Sequence, residues 1–388
     1  MDLAGTPDLK KLTERADGEI GLPASIRALT VAEAKDPEFL AAWTKLADRA
    51  SEPNPFYEPW FLLPSLEAFA RSDRRIALIA CCGDGALTGL IPVGRTRNYY
   101  GHPVPNVAGW LHDNAFYGAP LVEAGHELRF WTTLLEHLDR EPGLALFLHL
   151  AHLDADGPLN VALEAVLHGS GREHAIAHRL DRAMLRSPLS PADYLAQSLS
   201  KKHSKELRRQ RRRLAEQGEL TLERRDDAFA LDEWIAEFLA LEAAGWKGEA
   251  ASSLADTTET RSFFTGVMRG AAKAGKLDRL ALRLDRKPIA MLASFVASPG
   301  CYSFKTAFDE SYAAHSPGMQ LQIENLATLD RPGIAWSDSC AAEGHPMIDR
   351  LWTERRTLVS RNIAIGGSLR RAAFRQLTAL ATRRRSQS

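Results

Sequence analysis

Apolar residues recur along this chain with two periods. Leu128, Trp131, Leu134, Leu135 and Leu138 form one stripe at helical spacing and predict a helix over Glu127–Arg140. Similar patterns, with capping residues at their starts, predict helices from Asp36 to Arg49 and over Trp60–Arg71, Leu159–Leu167, Ala228–Ala244, Thr260–Gly275, Pro317–Leu329, Met347–Leu358 and Leu369–Thr382. Ser190-Pro191-Ala192-Asp193 is a further helix start, with the helix running to about Gln217 and Gly218 as a left-handed cap. Apolar runs predict strands at Ser25–Ala32, Leu144–Leu150, Glu173–Leu180, Ala183–Leu185, Leu220–Arg224, Cys301–Phe308, Ile334–Asp338 and Asn362–Ile365. Two pairs of runs read as hairpins: Arg75–Cys82 with Ala86–Val93 across Gly83-Asp84-Gly85, and Leu277–Leu284 with Pro288–Val296. Residues 1–25 have no clear period and read as a mobile tail, and residues 98–123 are rich in Gly, Pro and aromatics.

The two hairpins open matching series. After each come helix, strand, helix and strand, beginning at Glu127, Leu144, Leu159 and Glu173 in one half and at Pro317, Ile334, Met347 and Asn362 in the other. A tandem duplication of one α/β unit accounts for that order. The predicted domains are residues 26–188 and 189–388, each a mixed sheet covered by helices. Ligands on such sheets gather where strands diverge and helices start, which points to the loop before Pro317.

Composition narrows the class without naming it. Hydrophobic residues make up 45% and charged residues 25%, with 49 Lys+Arg against 49 Asp+Glu, so the chain is globular and carries no net charge that marks a dedicated DNA binder. Cys81, Cys82, Cys301 and Cys340 have neither disulfide-framework nor metal-site spacing, and no metal is expected. The longest apolar run, Ile76–Cys82, is far short of the roughly 20 residues that cross a bilayer, and the N-terminus has no signal-peptide core. The expectation is a cytoplasmic protein without a transmembrane segment.

Four stretches carry a resemblance. They are Ser200–Leu214, Phe238–Gly248 with its Gly245-Trp246-Lys247-Gly248, Phe304–Glu310, and Ser316-Pro317-Gly318. In this order they resemble CelD-like and Fem-like members of the GNAT acyltransferase superfamily, most strongly over residues 190–365 and more weakly over 50–185. The resemblance implies two tandem GNAT-like domains, an acyl-CoA or acetyl-CoA co-substrate, and transfer to an amine on a sugar or cell-envelope precursor. It leaves two alternatives: Fem-like transfer from aminoacyl-tRNA, and a non-catalytic accessory protein of polysaccharide biosynthesis.

The candidate residues follow from the chemistry that N-acylation needs: a polarised thioester, a deprotonated amine and a stabilised thiolate. Ser316, Pro317, Gly318 and Met319 form a helix start whose N–H groups suit a diphosphate; where the family pattern has two glycines, this chain has Gly318 alone. Lys201–Arg213 carries eight Lys/Arg in thirteen residues, and Lys201, Lys205, Arg208 and Arg212 share one helix face suited to phosphates. Asp338, Glu343 and His345, at a strand end and in the loop beyond, are candidate bases alongside Asp309 and Glu310. Tyr312 is a candidate proton donor, and Lys305 lies on the strand expected to polarise the carbonyl. Trp246, Lys247, Tyr57 and Trp60 are candidates for walling an acceptor pocket.

Overall fold

The computed structural model describes residues 25–70, 76–83, 85–245 and 253–385. Residues 1–24 of the predicted tail 1–25, the turn residue Asp84, and Trp246 and Lys247 lie outside them, whereas Ser25 opens a strand. The chain builds two units and visits them out of sequence order. Unit 1 takes residues up to Tyr57, 71–179 and Leu358 onward, whereas unit 2 takes Glu58–Ala70 and Leu180–Thr357. Contiguous halves do not contain this division, because unit 1 closes its sheet with residues from Leu358 onward and unit 2 takes the helix within Glu58–Ala70.

In unit 1, β1 (Ser25–Leu29), β2 (Ile76–Gly83), β3 (Ala86–Thr96) and β4 (Asn106–Gly109) pair antiparallel in succession, with the short β5 (Leu121–Val122) also on β3. β6 (Phe147–Asp154) then runs parallel to β4, and residues Leu358–Ala364 close the sheet antiparallel to β6. Its helices are α1 (Pro37–Asp48), α3 (Glu127–Arg140), α4 (Pro158–Gly169) and the C-terminal Ser368–Arg385; the helix Pro59–Phe69, α2, belongs to unit 2. Asp36 starts α1 by accepting from the N–H groups of Glu38 and Phe39, both at 3.0 Å. The indole N–H groups of Trp43 and Trp131 donate to the carbonyls of Tyr57 and Leu159, so both large rings are buried at no polar cost.

Unit 2 repeats the frame. Beyond the strand β7 (His174–Leu185) lie the helices α5 (Pro191–Ser198) and α6 (Lys201–Ala215). β8 (Leu220–Arg225), β9 (Leu277–Leu284), β10 (Lys287–Ala297) and β11 (Gly300–Phe308) pair antiparallel in succession. β12 (Trp336–Asp338) runs parallel to β11, and the end of β7 closes the sheet antiparallel to β12. Strands therefore occupy both predicted hairpins, and the order of antiparallel, parallel and closing strands is the same in each unit. Between β8 and β9 stand α7 (Leu231–Ala243) and α8 (Thr258–Lys273). Phe61 of α2 meets Phe263, Phe295 and Phe304 edge-on at 5.5–5.9 Å, and such pairs contribute about 0.5–1.5 kcal/mol each beyond their buried area.

Several local expectations give way. The helix predicted from Ser190 to Gln217 breaks at Leu199, which is extended, and Ser200 caps a new helix by accepting from the N–H of His203. Gly218 is not left-handed; a Cβ there would lie 2.3 Å from the Asp285 carboxylate, so close approach explains the glycine. The helix predicted over Met347–Leu358 shrinks to α10 (Ile348–Leu351). Tyr194 Oη then accepts the Thr353 N–H at 2.9 Å, and the chain continues as β13 (Glu354–Ala364), which absorbs the strand predicted at Asn362–Ile365. The helix from Pro317 ends as α9 (Pro317–Asn325) in a 3₁₀ turn over Leu326–Asp330, and α11 is the C-terminal Ser368–Arg385.

Candidate active site

The parallel strands of unit 2 part almost at once. β11 and β12 pair only from Gly300↔Trp336 to Tyr302↔Asp338, where β12 ends, while β11 runs on to Phe308. Among the described residues no strand covers the β12-facing edge of β11 beyond Tyr302. On its other side β11 carries a bulge against β10: Ala293 faces Lys305 and Ser294 faces Ser303, leaving Phe304 as the extra residue. A bulge bends the strand and re-aims its backbone groups. The result is an open fork.

β11 leads through a 3₁₀ turn over Glu310–His315 into α9. Asp309 brackets that turn, accepting from the Ser311 N–H at 3.0 Å and the Lys287 ammonium at 2.9 Å. Burial alone would raise the Asp309 carboxyl, but these hydrogen bonds hold it below the usual carboxylate range, which suits an anchor and not a base. Ser316 stands at the N-cap of α9 in a left-handed conformation (φ 50°) and gives no side-chain cap. The first turn, Pro317, Gly318 and Met319, is thus left without a side-chain acceptor for its N–H groups, at the positive end of a helix dipole. A Cβ on Gly318 would lie 3.2 Å from both Met347 Sδ and Phe308 Cδ1, so a larger residue there would push these neighbours back by a few tenths of an ångström.

The basic helix α6 lies along this loop. Gln320 Nε2 donates to the Leu207 carbonyl at 2.9 Å, Arg211 pairs with Glu324 at 2.7 Å, and Gln217 meets His315 Nε2 at 2.9 Å. Leu207 and Leu214 are buried, as the apolar stripe predicts, and Lys201, Lys205, Arg208 and Arg212 are exposed. Arg212 lies 3.7 Å from Glu216, whereas Lys201, Lys205 and Arg208 have no carboxylate partner among the described residues. His315, not among the candidates read from the sequence, sits at the junction with a buried Nδ1 that has no hydrogen-bond partner among the described residues.

A small cleft opens beside the fork. Thr306, Ala307 and Phe308 of β11 form one wall, Leu241, Glu242 and Gly245 at the end of α7 the other, with Glu310 between them. Glu242 is only 4% exposed and its carboxylate accepts the Leu254 N–H at 2.8 Å. Nothing in the helical pattern of Ala228–Ala244 marked this glutamate, because a polar residue inside an amphipathic stripe looks like a boundary position.

The structure thus gathers Lys305, Tyr312, Ser316, Pro317, Gly318 and Met319 along one connection, with Lys305 held over the Phe304 ring at 5.6 Å and Tyr312, like Phe308, packed against the apolar core of β9 and β10. Other candidates fall elsewhere. Asp338 is 0% exposed: it accepts from Arg356 Nη1 at 3.1 Å and the Cys340 N–H at 2.8 Å, with Arg182 at 3.5 Å, so it is a sealed ion-pair anchor and not an accessible base. Glu343 is exposed in the loop beyond, and His345 Nδ1 faces the Ile348 N–H at the start of α10. Tyr57 is buried in unit 1, donates to the Trp110 carbonyl at 3.0 Å, and burial pushes its pKa up. Trp60 donates to Glu58 Oε2 at 2.7 Å and packs on Phe295 at 5.0 Å. Both polar handles are thus satisfied internally. Trp246 and Lys247 lie outside the described residues.

Residues 201–345 match the model of the acetyltransferase (GNAT) domain family, from the first residue of α6 through fork, cleft and loop to His345. The stretch from α6 to His345 is therefore a GNAT-type acetyltransferase domain. Domains of this family use acyl-CoA, and the match identifies residues 201–345 as a domain of the transferase class. No curated protein matches the sequence. Among solved structures it is similar to FemX, with 11% identity and a TM-score of 0.57 over 91% of this chain and 99% of that one. A conserved protein from Bacteroides thetaiotaomicron gives 13% and 0.52 over 87% and 99%. The C-terminal domain of a putative lysylphosphatidylglycerol synthetase from Agrobacterium fabrum gives 12% and 0.51 over 88% and 96%. These likenesses concern the fold. Among the described residues no helix is long and apolar enough to cross a membrane.

Proposed function

We propose that unit 2 transfers an acyl group from acyl-CoA to an amine, with the donor lying in the fork between β11 and β12. The observation that carries this reading is the conjunction of an open strand edge past Tyr302 and the uncapped start of α9 at Ser316–Met319, which together suit an amide-rich arm ending in a diphosphate. Backbone N–H groups around the bulge at Phe304 would polarise the thioester carbonyl, and the α9 N-terminus would hold the phosphates. The acceptor amine would enter by the cleft of Glu242 and Glu310, with Glu310 receiving its proton. The family resemblance implies an amine on a sugar or cell-envelope precursor, handled in the cytoplasm. The test is calorimetric titration with acetyl-CoA, followed by acetyl transfer to a panel of amines. Absence of donor binding would sink the reading.

One observation favours a second reading. Lys201, Lys205 and Arg208 present an exposed basic stripe along about two turns of helix, without carboxylate partners among the described residues, which suits the phosphates of an aminoacyl-tRNA. A tRNA affinity that falls steeply with salt, together with no affinity for CoA, would move the assignment there.

A further inference from the structure

Unit 1 parts its parallel strands at the matching step, but there the first strand stops, the second runs on, and the chain itself fills the gap. β4 and β6 pair in parallel from Asn106↔Phe147 to Ala108↔His149, after which β4 ends at Gly109 and β6 runs on to Asp154. The chain does not leave the gap open. Trp110 N–H stays on β3, donating to the Pro92 carbonyl at 2.8 Å, and Gly118 N–H then donates to the His152 carbonyl at 3.2 Å, on the stretch of β6 that β4 has abandoned. The approach is so close that a Cβ on Gly118 would lie 2.1 Å from the Ala151 carbonyl oxygen. Asn54 locks the segment from behind, its Nδ2 donating to the carbonyls of Tyr117 (3.3 Å) and Ala119 (2.7 Å). Asn54, Tyr117 and Ala119 are all buried.

The helix starts of unit 1 are also taken. Tyr117 Oη donates to the Glu52 carboxylate, and Glu52 Oε1 accepts the Leu159 N–H at 2.7 Å in the first turn of α4. The Glu127 carboxylate turns back to accept the Gly125 N–H at 3.0 Å at the start of α3. Carboxylates of the chain itself thus stand at the starts of α3 and α4, where a helix dipole favours an anion. The counterpart in unit 2, at Ser316, holds none.

Resting on the proposed donor reading, we infer that the chain takes one acyl donor, in unit 2, and that residues 110–119 permanently hold the donor's place in unit 1. Unit 1 then serves the reaction without turning over acyl-CoA. Titration of the full chain with acetyl-CoA should give one site per chain. Ser316→Asp adds a carboxylate at the α9 N-cap, as unit 1 already has at its own helix starts, and Asp tolerates both the cap and the left-handed backbone. In that variant the single site should weaken at least tenfold, with no second site appearing. Two sites in the parent, or one undiminished site in Ser316→Asp, would overturn the inference while leaving a donor-binding protein. No binding in the parent would overturn the donor reading and this inference together. Hydrogen exchange gives a readout independent of binding: the Gly118 amide should be protected to the level of the neighbouring strands with or without acetyl-CoA, and exchange at loop rates would refute the plug.

Discussion

Units 1 and 2 part their parallel strands at matching points, after Ala108↔His149 and after Tyr302↔Asp338, and treat the resulting gap in opposite ways. In unit 1 the chain folds back into the gap, and Glu52 and Glu127 neutralise the nearby helix starts. In unit 2 the strand runs on alone, bulged at Phe304, to a helix start without a side-chain cap. The sheet alone therefore does not make a donor site. On the proposed reading a donor site needs a short connection left unpaired, so two similar frames can differ in chemistry.

The comparison can be broken at several points. Replacing Gly118 with Val should have the largest effect on stability, about 3 kcal/mol, because the side chain has to displace the Ala151 carbonyl. Denaturant unfolding should show that loss while acetyl-CoA affinity of the folded fraction stays unchanged; loss of affinity instead would tie the unit 1 fork to the donor. Glu310→Gln should lower kcat about 100-fold, roughly 2.7 kcal/mol of barrier, with donor affinity intact. A variant with parental kcat would remove Glu310 as the proton acceptor. Next comes Ser316→Asn, the neutral control for the aspartate: its acetyl-CoA affinity should stay within about threefold of the parent, so that any loss in Ser316→Asp is one of charge. The smallest effect belongs to the basic face. Lys205→Glu with Arg208→Glu should weaken donor binding a few-fold at low salt, and the difference should fade as ionic strength rises past the screening range of about 10 Å. A salt-independent change would mean the helix itself had shifted.

The parts that local rules govern were readable from the sequence. The two hairpins, the cap at Asp36 and the helix start at Ser316-Pro317 each depend on residues within a few positions of one another. The failures share a cause. Leu351 and Leu358 have helical spacing, but a hydroxyl from Tyr194, far back in the sequence, turns the chain at Thr353. Asp338 reads as a strand-end carboxylate until Arg182 and Arg356 arrive from two other strands. The plug around Gly118 showed only as a stretch rich in Gly, Pro and aromatics, because its partners Ala151 and Asn54 come from distant positions. Gly318 was readable as a helix-start glycine, but its packing against Met347 and Phe308 was not. Glu242 went unnoticed since its importance comes from what faces it across the cleft.

The strand exchange has a consequence for biogenesis. β6 is complete at Asp154, but its antiparallel partner begins at Leu358. At bacterial or eukaryotic elongation rates of about 5–20 residues per second, that edge waits on the order of 10–40 s for its neighbour to emerge. During the wait it is a bare strand rich in apolar residues, the kind of edge on which nascent chains associate. A chain released before Leu358 would keep that edge for good and should accumulate as insoluble material, even though the GNAT match at residues 201–345 would have been translated in full.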